Sequence, residues 1–172
     1  MPQLIKGGAV HEDRWTLLRE IAAALPETPV IVPLAFWLAA DAETRARGDV
    51  GVWLTPADNP ALLGTEATTL PLIAVDFPKF TDGRGYSIGR LVRERFGFKG
   101  ELRAIGEVLR DQLYYLSQVG FDAFVLRDGK DAQDALQSLR DFSDGYQLTN
   151  QRTPWFRRSG TDAPGRSRLI IE

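Results

Sequence analysis

Apolar and polar positions repeat with two different periods along the chain, and the change between them predicts a series of strands and helices. Continuous apolar runs, several rich in β-branched residues, predict strands at residues 30–35, 50–54, 72–76 and 123–126. Residues 101–105 predict a further strand, in which charged Glu101 and Arg103 alternate with Leu102 and Ala104, so that one face meets something polar. Apolar side chains at helical spacing predict helices at residues 12–25, 87–96, 107–119 and 130–142. Residues 3–10 predict a short strand and a turn around Gly7 and Gly8, and residues 55–69 a loop or short helix.

This order of elements predicts the fold class. Strands separated by helices of this length imply right-handed βαβ crossovers. We therefore expect an α/β fold with a mainly parallel sheet of four or five strands built from βα units, in a single domain at residues 1–149 with a tail at 150–172. Strand order cannot be read from one sequence, so a doubly wound sheet and a partial β/α barrel both remain open. In either architecture, ligands bind at the carboxyl ends of the strands.

One stretch, residues 71–111, concentrates polar side chains at such an end. Asp76 closes a buried strand, Pro78 ends strand pairing, and Ser87 is a candidate N-cap for the next helix. A strand, a glycine-rich loop and a helix N-terminus together form a natural anion site. The predicted ligand-binding residues are Lys79, Thr81, Asp82, Gly83, Arg84, Gly85 and Ser87. The alternative is that these are solvated loop charges, turn residues and a simple cap.

Two residues are the best catalytic candidates. Asp76 has the position of a general base or metal ligand, or of a support for the loop. Arg103 either helps Lys79 and Arg84 hold an anion or, with Arg110, neutralises the acidic side chains nearby. The predicted carboxyl edge would gather Asp76, Lys79, Glu107 and Asp128.

The same loop contains a weak dinucleotide pattern. Gly83-x-Gly85-x-x-x-Gly89 is followed by Glu107 a little over twenty residues beyond Gly85. The match is poor, because the strand-to-helix connection is too long for a tight turn and the last glycine is one place late.

Composition narrows the function classes. The formal net charge of −2 argues against a general nucleic-acid binder or a membrane-surface protein. Residues 76–111 carry eight Lys/Arg against six Asp/Glu, and residues 150–172 carry five against two. The chain is otherwise acidic, so these two basic segments would attract anions if they adjoin in the fold.

The sequence has no cysteine, which excludes an iron–sulfur cluster or a Cys-ligated metal, and His11 is its one histidine, so we predict no metal site. The cofactor stays unknown. No signal peptide or membrane span is visible, and we expect a cytoplasmic protein.

The tail offers a candidate partner surface. Trp155, Phe156, Arg157 and Arg158 form an aromatic and basic cluster beyond the regular pattern. Exposed aromatics with arginines are typical of interface hot spots. An acidic protein partner is favoured over nucleic acid; the alternative is that Trp155 packs on its own domain. Residues 169–171 are either an edge strand or a disordered tail.

Several phrases carry a family resemblance: DFPKFTDGRGYS, GRLVRERFGFKGELRAIGEVLRDQL and GFDAF, with PVIVPLAFWLA and VGVWLTP upstream. Together they resemble the bacterial domain of unknown function 934 family over residues 4–145. Members are typically encoded beside the haemoprotein of assimilatory sulfite reduction, and some carry the label oxidoreductase, inherited from neighbouring genes. Lacking cysteine, this chain is not itself the sirohaem and iron–sulfur subunit.

The resemblance implies a place in sulfite reduction, with sulfite reductase components as partners, and leaves the mechanism open. Together with the anion-binding loop predicted from the residues, it favours an accessory protein of sulfite reduction. Two alternatives remain open from the residues: an enzyme acting on a small sulfur- or phosphate-bearing anion, and an NAD(P)-dependent oxidoreductase. Catalysis without a partner would favour the first of these.

Overall fold

A computed structural model describes residues 3–21, 24–127 and 129–138. Over these residues the protein is an α/β structure built on one sheet of eight strands. The strands are β1 (Gln3–Lys6), β2 (Ala9–Glu12), β3 (Thr16–Leu17), β4 (Val30–Pro33), β5 (Val50–Leu54), β6 (Leu72–Phe77), β7 (Glu101–Gly106) and β8 (Ala123–Val125). The expected α/β class is confirmed, and the sheet has more strands than the four or five expected.

The helices between the strands are short. They are α1 (Leu34–Ala39), α2 (Ala42–Ala46), α3 (Arg84–Glu94), α4 (Leu113–Val119) and α5 (Ala132–Ser138), with 3₁₀ helices at Pro60–Thr68 and Arg110–Gln112. None of the helices in the described part of the chain is long and apolar enough to cross a membrane.

The sheet is mixed, which corrects the expectation of a mainly parallel sheet. Its strand order is β2-β1-β8-β7-β6-β5-β4-β3. Strands β3 to β8 follow one another in sequence order and pair in parallel, whereas β1 is antiparallel to both β8 and β2. The antiparallel part arises because Gly7 and Gly8, both at positive φ, turn the chain back as a tight hairpin.

The sheet curls until its two edges approach each other. The edge strands β2 and β3 are joined only by residues 13–15, a connection that spans at most about 14 Å. In a flat sheet the outer two of eight strands would lie about 34 Å apart. The curl gives the sheet a convex and a concave face.

The two faces of the sheet bury different kinds of side chain. The large core lies between the sheet and the helices, and includes Val52, Val75 and Leu102 from the central strands. Because side chains alternate along a strand, Trp53, Ala74 and Ile105 lie on the other, concave face, where they form a second, smaller apolar cluster. The concave face also carries the buried charges described below.

The largest error of the sequence prediction is the helix at residues 12–25. In the structure, residues 9–12 and 16–17 are strands, and the chain between them crosses from one sheet edge to the other. Leu17 pairs with Ile31 of β4, and Leu18 N donates to the Ile31 carbonyl at 2.9 Å. Pairing with a distant strand therefore overrides the helical spacing of the apolar residues.

Candidate functional site

A carboxylate and a guanidinium meet at the carboxyl end of the central strand β6. Asp76 is 6% exposed, and it accepts two hydrogen bonds from Arg19, from Nη2 to Oδ1 at 3.0 Å and from Nη1 to Oδ2 at 3.3 Å. The Arg19 side chain remains 52% exposed. This end-on pair places a fixed guanidinium at the mouth of the curled sheet, where ligands bind in folds with parallel strands.

Two further residues hold this pair in place. The guanidinium of Arg19 lies 5.4 Å from the centre of the Trp53 ring, and Trp53 Nε1 donates to the Leu18 carbonyl at 3.0 Å. Gly106, at φ +92°, lies beside Asp76 at the end of β7, where a methyl group would stand 2.8 Å from Asp76 Oδ1. A glycine is thus needed for the carboxylate to keep its position.

The loop after Asp76 is organised by its own acidic residue. Asp82 accepts hydrogen bonds from Arg84 Nε at 3.0 Å and Arg84 Nη2 at 2.7 Å, and it also accepts from the Arg84 backbone N–H at 3.1 Å. The Arg84 side-chain bonds lower the pKa of Asp82 to about 2. Lys79 and Thr81 are exposed, and the Lys79 ammonium makes no hydrogen bond or ion pair with a described residue. The ammonium N–H groups of Lys79 therefore remain available to a ligand, whereas Arg84 Nε and Nη2 already donate to Asp82.

The helix after the loop starts earlier than expected. α3 begins at Arg84 with Gly83 at its N-cap position, so Ser87, which is exposed within the helix, is not the cap. A methyl group on Gly85 would stand 2.6 Å from the Phe77 ring, and one on Gly89 would stand 2.3 Å from the Phe121 ring. Close packing of the helix on the sheet accounts for two of the three glycines of the weak dinucleotide pattern, Gly85 and Gly89, without a pyrophosphate.

Arg103 does not share the site of Asp76. It is 1% exposed on the concave face, where Nη1 donates to Asp13 Oδ2 at 2.6 Å and Nε donates to Glu101 Oε1 at 2.7 Å. Lys6 Nζ completes the cluster at 2.7 Å from Glu101 Oε2. We call these four side chains, Lys6, Asp13, Glu101 and Arg103, the buried ion cluster. Of the acidic side chains that Arg103 was expected to neutralise, namely Asp76, Glu101 or Glu107, it pairs with Glu101. The other expectation, that Arg103 joins Lys79 and Arg84 at an anion, is not supported by this geometry, because its hydrogen bonds go to Asp13 and Glu101.

Glu107 lies at the same carboxyl edge as Asp76, as expected, because its backbone N–H donates to the Phe77 carbonyl at 2.7 Å. Its side chain pairs with Arg127 at 3.1 Å, and Arg110 pairs with Asp134 at 2.8 Å rather than with Asp76. Within residues 3–21, 24–127 and 129–138, no three His, Asp or Glu side chains come together as metal ligands would. Asp128 and the predicted partner-binding residues Trp155, Phe156, Arg157 and Arg158 lie outside these ranges.

Sequence reasoning missed the partners of both buried charges. Arg19 and Asp13 both fall in the helix predicted at residues 12–25, which does not form. Each forms its contact across 57 and 90 residues of chain, respectively. The one local signal was Gly106, a glycine directly after the alternating run at 101–105, which marks a close approach of another group.

Comparison with known proteins gives one family. Residues 51–156 match the model of the family described as "Bacterial protein of unknown function (DUF934)". The matched segment contains Asp76, the loop that follows it and Arg103, and it begins after Arg19. No curated protein matches the chain.

Proposed function

Because the chain belongs to this family of bacterial proteins of unknown function, we propose a role from its own geometry: it binds a small sulfur oxyanion at the mouth of the sheet, as an accessory protein of sulfite reduction. The observation that carries the proposal is the Arg19–Asp76 pair. Sulfite is the first ligand to test, because the family resemblance implies a place beside assimilatory sulfite reductase.

The pair leaves Arg19 with donors for a ligand. A guanidinium has five N–H groups, and Asp76 accepts from two of them. The side chain is 52% exposed, so its remaining N–H groups can reach an anion in the mouth. Since Asp76 and Trp53 already fix the guanidinium, binding costs little side-chain entropy.

The loop after β6 offers a second cationic group. Lys79 is exposed three residues beyond Asp76, and its ammonium is a compact donor for an oxyanion. Oxyanions bind best where several donors converge from a fixed frame. We therefore include Lys79 with Arg19 in the proposed site, while Asp82 and Arg84 shape the turn.

Calorimetric titration with sulfite, sulfate and phosphate at low salt tests the site. We expect Arg19→Gln to weaken binding of the preferred anion about tenfold or more, since a charge-assisted hydrogen bond contributes about 1.5–3 kcal/mol. Arg95→Gln is the matched control, because Arg95 is exposed on the same chain and makes no side-chain bond with a described residue. Equal affinity in both variants, or no binding of any of the three anions, would refute the proposal.

Gly106 gives a second arm to this experiment. Gly106→Ala should weaken binding of the anion, because the added methyl group would displace Asp76. Gly97→Ala is the control, because it carries similar backbone strain at φ +64° but has open space around it. If the two glycine variants bind alike, Asp76 does not position Arg19 for the ligand.

An enzyme acting on a small anionic substrate is the second candidate. It is favoured by one observation: a buried carboxylate stands at the strand end where barrel enzymes place catalytic groups. Turnover by the purified chain, abolished in Asp76→Asn, would establish it.

The accessory role is tested separately. Sedimentation of the chain with purified sulfite reductase should show a complex, and Trp155→Ala tests whether the tail contributes to it.

A further inference from the structure

A second concave site lies at the opposite end of the curled sheet from Arg19. It is an open groove of about 820 Å³ between the β1–β2 hairpin, residues 12–15 and the first half of β7, and we call it the hairpin groove. Small-molecule sites have volumes of about 300–1,000 Å³. The hairpin groove therefore has the size of a ligand site and shares none of its lining residues with the Arg19–Asp76 pair.

The walls of the groove combine apolar and cationic groups. Ile5 and Val10 face the large core, so alternation along the hairpin turns Leu4 and Ala9 to the concave face, where they line the groove with Trp15. Arg14 also lines it, is exposed, and forms no hydrogen bond or ion pair with a described residue. An apolar wall beside an unpaired guanidinium is suited to an organic anion.

The floor of the groove holds the guanidinium of Arg103. Arg103 is 1% exposed, and its Nη2 atom lies 2.6 Å from Glu101 Oε1, its ion-pair partner. The charge of Arg103 is therefore matched within the buried ion cluster, and Arg14 is the guanidinium of the groove that a ligand can reach.

Two charged residues of the groove, Glu12 and Arg14, have no ion-pair partner among the described residues. Asp13 and Glu101 are matched by Arg103 and Lys6 within the buried ion cluster. Glu12 lines the groove as the last residue of β2, two positions after Val10, so alternation along the strand places its side chain on the face of Val10. Arg14 lies beyond the strand and is the charge that a ligand would neutralise.

We propose that the hairpin groove binds an organic monoanion with an apolar or aromatic body, such as an aromatic carboxylate, with its carboxylate at Arg14 and its body against Leu4 and Trp15. This site is separate from the proposed oxyanion site, and neither depends on the other. The contrast between benzoate and benzamide tests it directly, because the two share a body and differ in charge.

Binding of both compounds is measured by ligand-observed NMR, and 4-nitrobenzoate quenching of Trp15 fluorescence reports the location. We expect benzoate to bind at least about tenfold more tightly than benzamide, and Arg14→Gln to remove that difference. Ala9→Phe, on the exposed hairpin, should block both compounds by filling the groove. Trp15→Phe should keep benzoate binding and lose most of the quenching.

Two controls separate this site from the other one. Arg95→Gln and Arg19→Gln should bind benzoate as the native chain does. The proposal is overturned if benzamide binds as well as benzoate, if Arg14→Gln leaves benzoate affinity unchanged, or if no benzoate binds. Loss of benzoate binding in Arg19→Gln would also overturn it, by assigning the anion to the mouth of the sheet.

Discussion

Replacing Arg103 with methionine should be among the most destabilising single changes on the concave face. The substitution removes a guanidinium that is 1% exposed and lies 2.6 Å from oxygens of both Asp13 and Glu101. Glu101 keeps Lys6 as its partner, but Asp13, whose side chain is 5% exposed, loses its counter-ion. Methionine fills much of the space, so the cost comes mainly from the uncompensated carboxylate.

The magnitude follows from that burial. Breaking a buried ion pair by removing one partner costs about 3–5 kcal/mol, against a total stability of about 5–15 kcal/mol for a domain. The midpoint of thermal unfolding should fall by about 10 °C, since each kcal/mol shifts it by about 2–4 °C in chains of this size. The exposed pair Arg90–Glu94, with side chains 49% and 47% exposed, supplies the control: Arg90→Met should cost less than about 1 kcal/mol.

Urea unfolding followed by tryptophan fluorescence and circular dichroism measures both variants, and the absence of cysteine excludes thiol oxidation as a complication. The decisive variant combines Arg103→Met with Asp13→Asn, which removes the uncompensated negative charge of Asp13. The asparagine keeps an oxygen for the Trp15 backbone N–H, which donates to Asp13 Oδ1 at 3.0 Å in the native chain. The double variant should recover more than half of the stability that Arg103→Met loses. If Arg103→Met costs no more than Arg90→Met, or if the double variant recovers nothing, the buried ion cluster does not stabilise the fold as argued.

Two further predictions concern packing and pH. Gly89→Ala should lower stability by about 1–3 kcal/mol in the same unfolding assay, because its methyl group would stand 2.3 Å from the buried ring of Phe121; Gly48→Ala, with open space around it, should change stability by less than about 0.5 kcal/mol. In a carboxyl NMR titration Asp82 should have its pKa near 2, through its arginine hydrogen bonds. The stability contributed by Asp82 is then present above pH 3.8 and lost as the pH falls toward 2; an Asp82 carboxyl that titrates at its ordinary value would contradict the assignment.

The sequence predicted the central strands well because they are buried on both faces. Residues 72–76 and 101–105 correspond closely to β6 and β7, since a short, β-branched run such as Leu-Ile-Ala-Val is typical of a strand that is covered on both faces. It also placed Asp76 correctly at a carboxyl end. These features depend on local composition, which a single sequence contains.

The features that the sequence did not predict depend on contacts between residues that lie far apart in the chain. Trp15, Leu18 and Ile21 have helical spacing, yet the short β3 pairs with β4 because the sheet must close toward β2. The same segment brings Arg19 to Asp76 and Asp13 to Arg103. No local signal identifies Arg19 or Asp13 as the partner, so the candidate site was half predicted: the carboxylate was found and its arginine was not.

The register of β6 and β7 explains why the ion pairs of Arg103 and the Arg19–Asp76 pair lie apart. Ala74 pairs with Arg103, and Asp76 pairs with Ile105, so each charged side chain on the concave face has an apolar neighbour on the adjacent strand. Two residues of strand separate the levels of Arg103 and Asp76, about 7 Å along the sheet, and the cluster of Trp53, Ala74 and Ile105 fills the space between them. Charge is thus confined to the two ends of the concave face. Changes in the buried ion cluster should therefore alter stability and leave the anion affinity of Arg19 unchanged, as long as the chain is folded.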